Sequence, residues 1–176
     1  MRIRSPFSLV LAVMIPVAAL AWQSAKPAEW RPANDKELGS VIPARAPVEK
    51  ERIETEFRTA SGVTDGQGRF IAGVVMITAG YSAEGKYSHF FLTQVPIEIG
   101  GVTFKPGDYV FGSKRLEDGS LEVSFYDAAS GRSMVVVKAK KDLAKGPIRS
   151  LQISPPENRK GVIRIGRFVF DYALAG

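Results

Sequence analysis

The chain has 176 residues, carries a formal charge of +6 at neutral pH, and contains one histidine and no cysteine. The lack of cysteine excludes a disulfide scaffold, thiol catalysis and lipid attachment through a cysteine. A zinc site normally uses three or four nitrogen or sulfur ligands, so one histidine without cysteine argues against a metal centre, and no motif indicates a cofactor.

The amino-terminal segment has the organisation of a secretory signal peptide. Arg2 and Arg4 precede an apolar stretch over residues 7–20, and a small residue, Ala21, stands where cleavage is expected. The apolar stretch is shorter than the roughly 20 residues that a membrane-spanning helix needs. The sequence therefore predicts cleavage after Ala21, a periplasmic or secreted protein, and no stable membrane span after cleavage. An uncleaved anchor, with Trp22 at the membrane interface, is the alternative.

Two further segments follow the predicted signal peptide of residues 1–21. Residues 22–47 contain four prolines among alanine and charged residues, without apolar periodicity, which is typical of a flexible spacer. Residues 48–176 are long enough to form one domain with its own core. At the start of this domain, the apolar positions of residues 49–59 fit both a strand and a helix, and a strand is favoured.

Two patterns in the middle of the domain predict strands. Residues 70–78 are apolar and rich in β-branched side chains, which indicates a strand buried on both faces. Further along, Gly100 and Gly101 separate the strand-like segments 95–99 and 102–104. Two glycines can adopt the positive φ angles of a two-residue loop, so these segments are predicted to form a hairpin.

The Asp-Gly pair at residues 118–119 predicts a second hairpin. In a two-residue loop at this place, Leu116 pairs with Leu121 and Arg115 pairs with Glu122. The apolar residues that alternate along the second strand of this hairpin are then expected to face the core.

The apolar segment at residues 162–172 changes its alternation halfway. Apolar positions up to Ile165 lie one residue out of phase with those from Phe168 onward. The segment is predicted to be one strand with a β-bulge at residues 166–167, because a bulge shifts the phase by one residue.

Together these segments predict nine or ten strands joined by short turns, without a long helix. The predicted fold class is therefore all-β, as a single antiparallel β-sandwich or β-barrel. Local strand pairing does not distinguish between these two architectures.

Positive charge is concentrated in the carboxyl-terminal part of the chain. Residues 22–131 contain 12 basic and 15 acidic side chains, whereas residues 132–167 contain 10 basic and 2 acidic ones. Such a region indicates an anionic partner, and an ordinary solvated face is the alternative. The candidate residues for binding an anion or a partner are Lys138, Lys140, Arg149, Arg164 and Arg167. For an exported protein the expected partner is an unknown component of the cell envelope, with anionic polysaccharide and lipid headgroups as candidates, and not nucleic acid.

His89 is a candidate polar site, because any acid-base relay through histidine must use the only histidine of the chain. It lies among aromatic residues, so a packed strand residue is the alternative interpretation. No residue carries a pattern that assigns it a catalytic role.

The leading functional interpretation is an exported, non-enzymatic β domain that binds a partner or ligand in the cell envelope. A lipocalin-like carrier of a small hydrophobic ligand is one alternative, favoured if the strands close around a cavity. The other is a hydrolase or carbohydrate-active enzyme that uses paired carboxylates. The carboxylates beside predicted turns are Glu84, Glu98, Asp108 and Asp127.

Overall fold

The computed structural model describes residues 29–78, 80, 85–143 and 146–176. These residues form thirteen strands and one short helix, which confirms the predicted all-β fold but exceeds the predicted strand count. The predicted signal peptide and residues 22–28 of the predicted spacer lie outside the described residues.

Short connections join most of the strands. The strands are β1 (Arg31–Pro32), β2 (Arg45–Val48), β3 (Glu51–Thr64), β4 (Phe70–Met76), β5 (His89–Thr93), β6 (Ile97–Ile99), β7 (Val102–Phe104), β8 (Gly107–Arg115), β9 (Leu121–Asp127), β10 (Ser133–Lys141), β11 (Arg149–Ile153), β12 (Lys160–Gly166) and β13 (Phe168–Leu174). The helix α1 (Asp35–Val41) lies between β1 and β2. β3 confirms the strand favoured for residues 49–59.

The strands form one antiparallel sheet that curls into a nearly closed barrel. Around the barrel the order is β3, β4, β5, β8, β9, β10, β13, β12 and β11. The last strand, β11, returns to β3, where the backbone N–H of Ile153 donates a hydrogen bond of 2.9 Å to the Ser61 hydroxyl. Among the described residues no backbone ladder joins β11 to β3, so a side chain bridges this seam. The architecture is thus barrel-like rather than a sandwich.

Aromatic side chains fill the interior of the barrel. The ring centroid of Phe125 lies between 4.9 and 5.9 Å from those of Phe91, Phe104, Phe111 and Phe170. All five rings are buried. The interior in this part of the structure is therefore packed core rather than open space.

A second apolar layer covers the outer face of β4, β5 and β8. On β5, Phe91 belongs to the inner cluster, whereas Phe90 and Leu92 belong to the outer one. The outward side chains share this outer cluster with Leu38 of α1 and Ala46 of β2. β4 also lies between the inner and the outer cluster. It is therefore buried on both faces, as the sequence predicts.

Residues 31–47, which the sequence assigns to a flexible spacer, are part of the fold and form β1, α1 and most of β2. A capping box starts the helix: the Asn34 side chain accepts a hydrogen bond of 3.0 Å from the Glu37 N–H, and the Glu37 carboxylate accepts one of 2.9 Å from the Asn34 N–H. Leu38 is buried. The ordered domain therefore begins before Val48, because this short helix is needed to cover the outer face.

The predicted hairpin at Gly100 and Gly101 is confirmed. Both glycines have positive φ angles, 58° and 78°, and Ile99 pairs with Val102 across the loop. A Cβ at Gly100 would lie 2.5 Å from the Val137 Cγ1 of β10, and β6 pairs with β13. The hairpin thus occupies the space where β10 and β13, which pair at one end, diverge.

The predicted register of the hairpin at residues 118–119 is wrong by one residue. Arg115 pairs with Leu121, and Lys114 takes the predicted place of Arg115 opposite Glu122. Arg115 therefore shares a face of the sheet with Leu121 instead of forming a cross-strand ion pair.

The loop of this hairpin has three residues instead of two. The Leu116 carbonyl accepts a hydrogen bond of 3.0 Å from the Gly119 N–H, and Gly119 has a φ of 78°. A glycine of this conformation after a turn is the bulge that ends a three-residue hairpin loop. The side chains of β9 that are predicted to face the core do so, since Leu121, Val123 and Phe125 are all buried.

Residues 166–167 form a hairpin loop and not the predicted β-bulge. Ile165 pairs with Phe168, so the chain reverses there and the predicted single strand is two strands, β12 and β13. Gly166 has a φ of 58° in the first position of the loop, where two-residue hairpins favour glycine. The reversal, and not an inserted residue, explains the change of alternation.

We expect Gly112→Ala to destabilise the fold by about 1–3 kcal/mol. A Cβ at Gly112 would lie 2.2 Å from the backbone oxygens of Gly85 and Lys86, so the connection between β4 and β5 would have to move away from β8. Gly107→Ala on the same strand is the matched control, because its Cβ would lie 3.8 Å from the nearest atom. Urea denaturation measures both variants. Wild-type stability in Gly112→Ala would contradict the close approach.

Candidate functional site

An open cavity of about 530 Å³, which we call the mouth, lies at one end of the barrel. The carboxyl ends of β8, β10 and β12 and the amino ends of β9, β11 and β13 meet there. The side chains that line the mouth include three cations, Arg115, Lys141 and Arg167, and four apolar residues, Leu121, Ile148, Ile165 and Phe168.

None of the three cations of the mouth makes an ion pair with a described residue. The Arg115 guanidinium carbon lies 4.9 Å from the ring centroid of Phe168, a cation–π distance that fixes the charge above an apolar surface. No carboxylate of the described residues pairs with these three charges, so they remain available to an anion in the cavity.

The floor of the mouth is apolar. Leu121 and Phe168 are buried, and Ile165 is half-buried. Ile148, at the rim, is 58% exposed. The mouth therefore combines uncompensated positive charge with apolar surface, and its shape and chemistry suit an anion that carries an apolar part.

A smaller cavity of about 230 Å³ adjoins the mouth and shares Ile148 and Arg167 with it. Arg164 also lines this cavity, but its Nε donates a hydrogen bond of 2.7 Å to the Asp142 carboxylate. Arg149 is the third arginine that lines this smaller cavity, and it has no ion-pair partner among the described residues. The two cavities together are lined by five cations and one carboxylate, which is a net charge of +4.

The structure divides the five sequence-predicted basic residues between two places. Arg149, Arg164 and Arg167 lie around the mouth and its adjoining cavity. Lys138 and Lys140 line a different cavity of about 300 Å³ between β10 and β13. In addition, Lys138 forms an ion pair with Asp118 of the β8–β9 loop. The predicted residues therefore do not form one continuous site.

Two cations of the mouth, Arg115 and Lys141, are not among the residues that the sequence singles out. The predicted register pairs Arg115 with Glu122, which would compensate its charge, whereas the observed register places it beside Leu121 on the inner face. An assignment of a three-residue loop over residues 117–119 would have identified Arg115 from the sequence. Nothing in the run of lysines that contains Lys141 distinguishes this residue from its neighbours.

The opposite end of the barrel has a cavity of about 440 Å³. Two arginines line it, and both make hydrogen bonds within the protein. The Arg69 guanidinium forms an ion pair of 2.5 Å with Asp65. Arg159 donates hydrogen bonds to the backbone carbonyls of Leu174 and Gly176, at 2.7 and 2.5 Å. One of the two arginines is compensated by a carboxylate and the other is held by backbone carbonyls, whereas the mouth has three cations without an ion pair, so the mouth is the stronger candidate.

His89 is buried at the end of β5 nearest the mouth. Its ring stacks on Phe111 with a centroid distance of 4.5 Å and an angle of 8° between the planes, and its Nδ1 lies 2.8 Å from the Ser88 hydroxyl. Nε2 is buried and makes no hydrogen bond of normal geometry with a described residue. Burial lowers the pKa of His89 to about 4, and the backbone of Ser150, which also lines the mouth, offsets this effect only in part.

The described carboxylates beside turns do not form a catalytic pair at β8 and β9. Asp127 pairs with Tyr109, so these two side chains share a face of the sheet. Asp108 directly precedes Tyr109 on β8 and therefore points to the other face. The hydrogen bond from the Ser130 hydroxyl, at 2.6 Å, lowers the pKa of Asp127, and burial raises the pKa of Asp108. Glu84 lies outside the described residues, and the carboxylate on β6, at residue 98, is exposed.

In the part of the chain that the structure describes, no helix is long and apolar enough to cross a membrane. Across the same residues, no group of three or more acidic or histidine side chains is arranged to hold a metal ion. No family model matches the chain, and neither a curated protein nor a solved structure matches it. The functional argument therefore depends on the geometry of the mouth.

We expect the single histidine signal in the NMR spectrum to titrate with a pKa near 4. Because this folded-state pKa is below the ordinary value of 6.5, the unfolded chain binds more protons between these pH values. The free energy of unfolding should therefore be undiminished above pH 6.5 and fall by roughly 3 kcal/mol as the pH decreases towards 4.

The variant His89→Leu should lose most of this pH dependence, which urea denaturation at several pH values measures. Asp65, whose pKa is lowered, responds mainly below its unfolded value of 3.8 and so lies outside the window. A histidine signal that titrates near 6.5 would contradict the burial of His89.

Proposed function

We propose that the protein is a non-enzymatic binding domain that holds the anionic group of a cell-envelope ligand in its mouth. The observation that carries this proposal is the set of three cations, Arg115, Lys141 and Arg167, which surround an open cavity without an ion-pair partner among the described residues. Cations left uncompensated in a concave site attract anions more strongly than the same charges spread over a surface.

The two arginines of the mouth suit oxyanions. A guanidinium presents a planar fork of N–H donors that matches the geometry of carboxylate, sulfate and phosphate groups. Arg115 lies against Phe168, so less side-chain entropy is lost when a ligand binds. The chemistry shared by anionic polysaccharides and lipid headgroups is therefore the chemistry that this site supports.

The packed interior favours binding at the mouth over the lipocalin-like alternative. A carrier of this kind encloses its ligand inside the barrel, where Phe125 and the rings around it lie in this protein. The hydrolase alternative gains no support from Asp108 and Asp127, which project from opposite faces of the sheet.

We expect the triple variant Arg115→Gln, Lys141→Gln, Arg167→Gln to bind heparin, used as a sulfated polysaccharide probe, at least about tenfold more weakly than the wild type. The dissociation constant at fixed salt concentration is the measurement. The matched control is the triple variant Lys36→Gln, Lys50→Gln, Lys105→Gln, which removes the same charge from exposed positions elsewhere. Equal losses in the two variants would show that net charge governs binding and would overturn the proposal.

The proposal also requires export of the chain. We expect the protein isolated from its native envelope fraction to begin at Trp22, because cleavage is predicted after Ala21. Intact-mass spectrometry gives the position of the amino terminus. An uncleaved chain in the cytosolic fraction would contradict a function in the envelope.

A further inference from the structure

Two large apolar side chains are exposed near cations of the mouth: Leu143 lies two residues after Lys141 in the chain, and Ile148 lines the mouth itself. Leu143 is 86% exposed and Ile148 is 58% exposed. Ile148 lines both the mouth and its adjoining cavity, so its surface continues into the apolar floor formed by Leu121 and Phe168. Single exposed apolar residues are ordinary on a protein surface, but apolar surface that extends from a binding cavity to its rim indicates an interaction site.

Cations stand on both sides of these two apolar residues. Along the chain, Lys141 precedes them and Arg149 follows them. The Arg167 backbone carbonyl accepts a hydrogen bond of 2.7 Å from the Asp142 N–H. This bond connects Asp142, the residue before Leu143, to the β12–β13 loop. The apolar rim and the uncompensated charges are therefore parts of one surface at the end of the barrel.

This combination favours a lipid surface over a polysaccharide. An anionic polysaccharide offers partners for the cations but no hydrocarbon to bury Leu143 and Ile148. An anionic bilayer offers both, because phosphate groups lie directly above the acyl chains. Each basic residue near such a surface strengthens binding by roughly fivefold, and buried apolar side chains add to this.

We propose that this end of the barrel docks on the surface of an anionic phospholipid bilayer. Leu143 and Ile148 enter the headgroup region, and the cations of the mouth, Arg115, Lys141 and Arg167, bind lipid phosphates. This inference rests on the proposed function, because it uses the same cations and adds the apolar rim to them.

Co-sedimentation with vesicles tests the inference on the processed protein as isolated from its native source. The vesicles contain either phosphatidylcholine alone or phosphatidylcholine mixed with phosphatidylglycerol. We expect binding to the mixed vesicles that falls at least about tenfold in the variant Leu143→Ser, Ile148→Ser. The single variant Ile148→Ser is also measured, and Val136→Ser is its matched control. Val136 is similarly exposed, at 54%, but lies on β10. Circular dichroism establishes that each variant is folded.

The outcomes separate the two proposals. If the serine variant binds mixed vesicles as the wild type does, the apolar rim takes no part in binding and the docking inference is overturned. If the wild type binds heparin but no vesicles, the docking inference is also overturned, and the anion-binding function stands with a polysaccharide as the ligand. If the triple cation variant binds both probes as the wild type does, the proposed function itself fails. Equal binding to both kinds of vesicle would also overturn the inference, because it would exclude a role for lipid charge.

Discussion

The packing of Phe125 inside the barrel is the constraint that determines where this protein can bind a ligand. Its ring contacts rings from β5, β7, β8 and β13 and so holds the curled sheet together. Because these rings fill the interior, a ligand has to bind at an end or on an outer face. The outer face of β4, β5 and β8 is covered by α1 and β2. The mouth is the end of the barrel at which three cations lie without an ion-pair partner among the described residues.

Local turn chemistry predicts part of this fold. The hairpin at Gly100 and Gly101 is predictable because both loop positions need positive φ angles. The Asp-Gly pair at residues 118–119 misleads, since such a pair occurs in two-residue loops and also at the end of three-residue loops. The helix α1 is missed because it buries few apolar residues, although Asn34 and Glu37 have the spacing of a capping box.

The candidate site could be predicted only in part, because composition locates a charged region but not a cavity. The basic carboxyl-terminal part supplies Arg149 at the start of β11 and Arg164 near the end of β12, and the pairing of these two strands brings them together. Lys138 and Lys140 alternate to the outer side of β10, away from the mouth. Arg115 comes from β8, outside the basic region, and depends on a register that a single residue changes. The stacking of His89 on Phe111 likewise depends on strand pairing, which the neighbours of His89 in sequence do not show.

The most direct test of the central claim is a map of backbone amide NMR shifts during titration with dihexanoyl phosphatidylglycerol, a soluble anionic lipid. The account predicts saturable shifts that are largest at Ser113, Arg115, Ile165 and Arg167, around the mouth. Shifts that are largest around Gly100, Val137 and Asp171, in the cavity between β10 and β13, would contradict it, as would shifts that do not saturate.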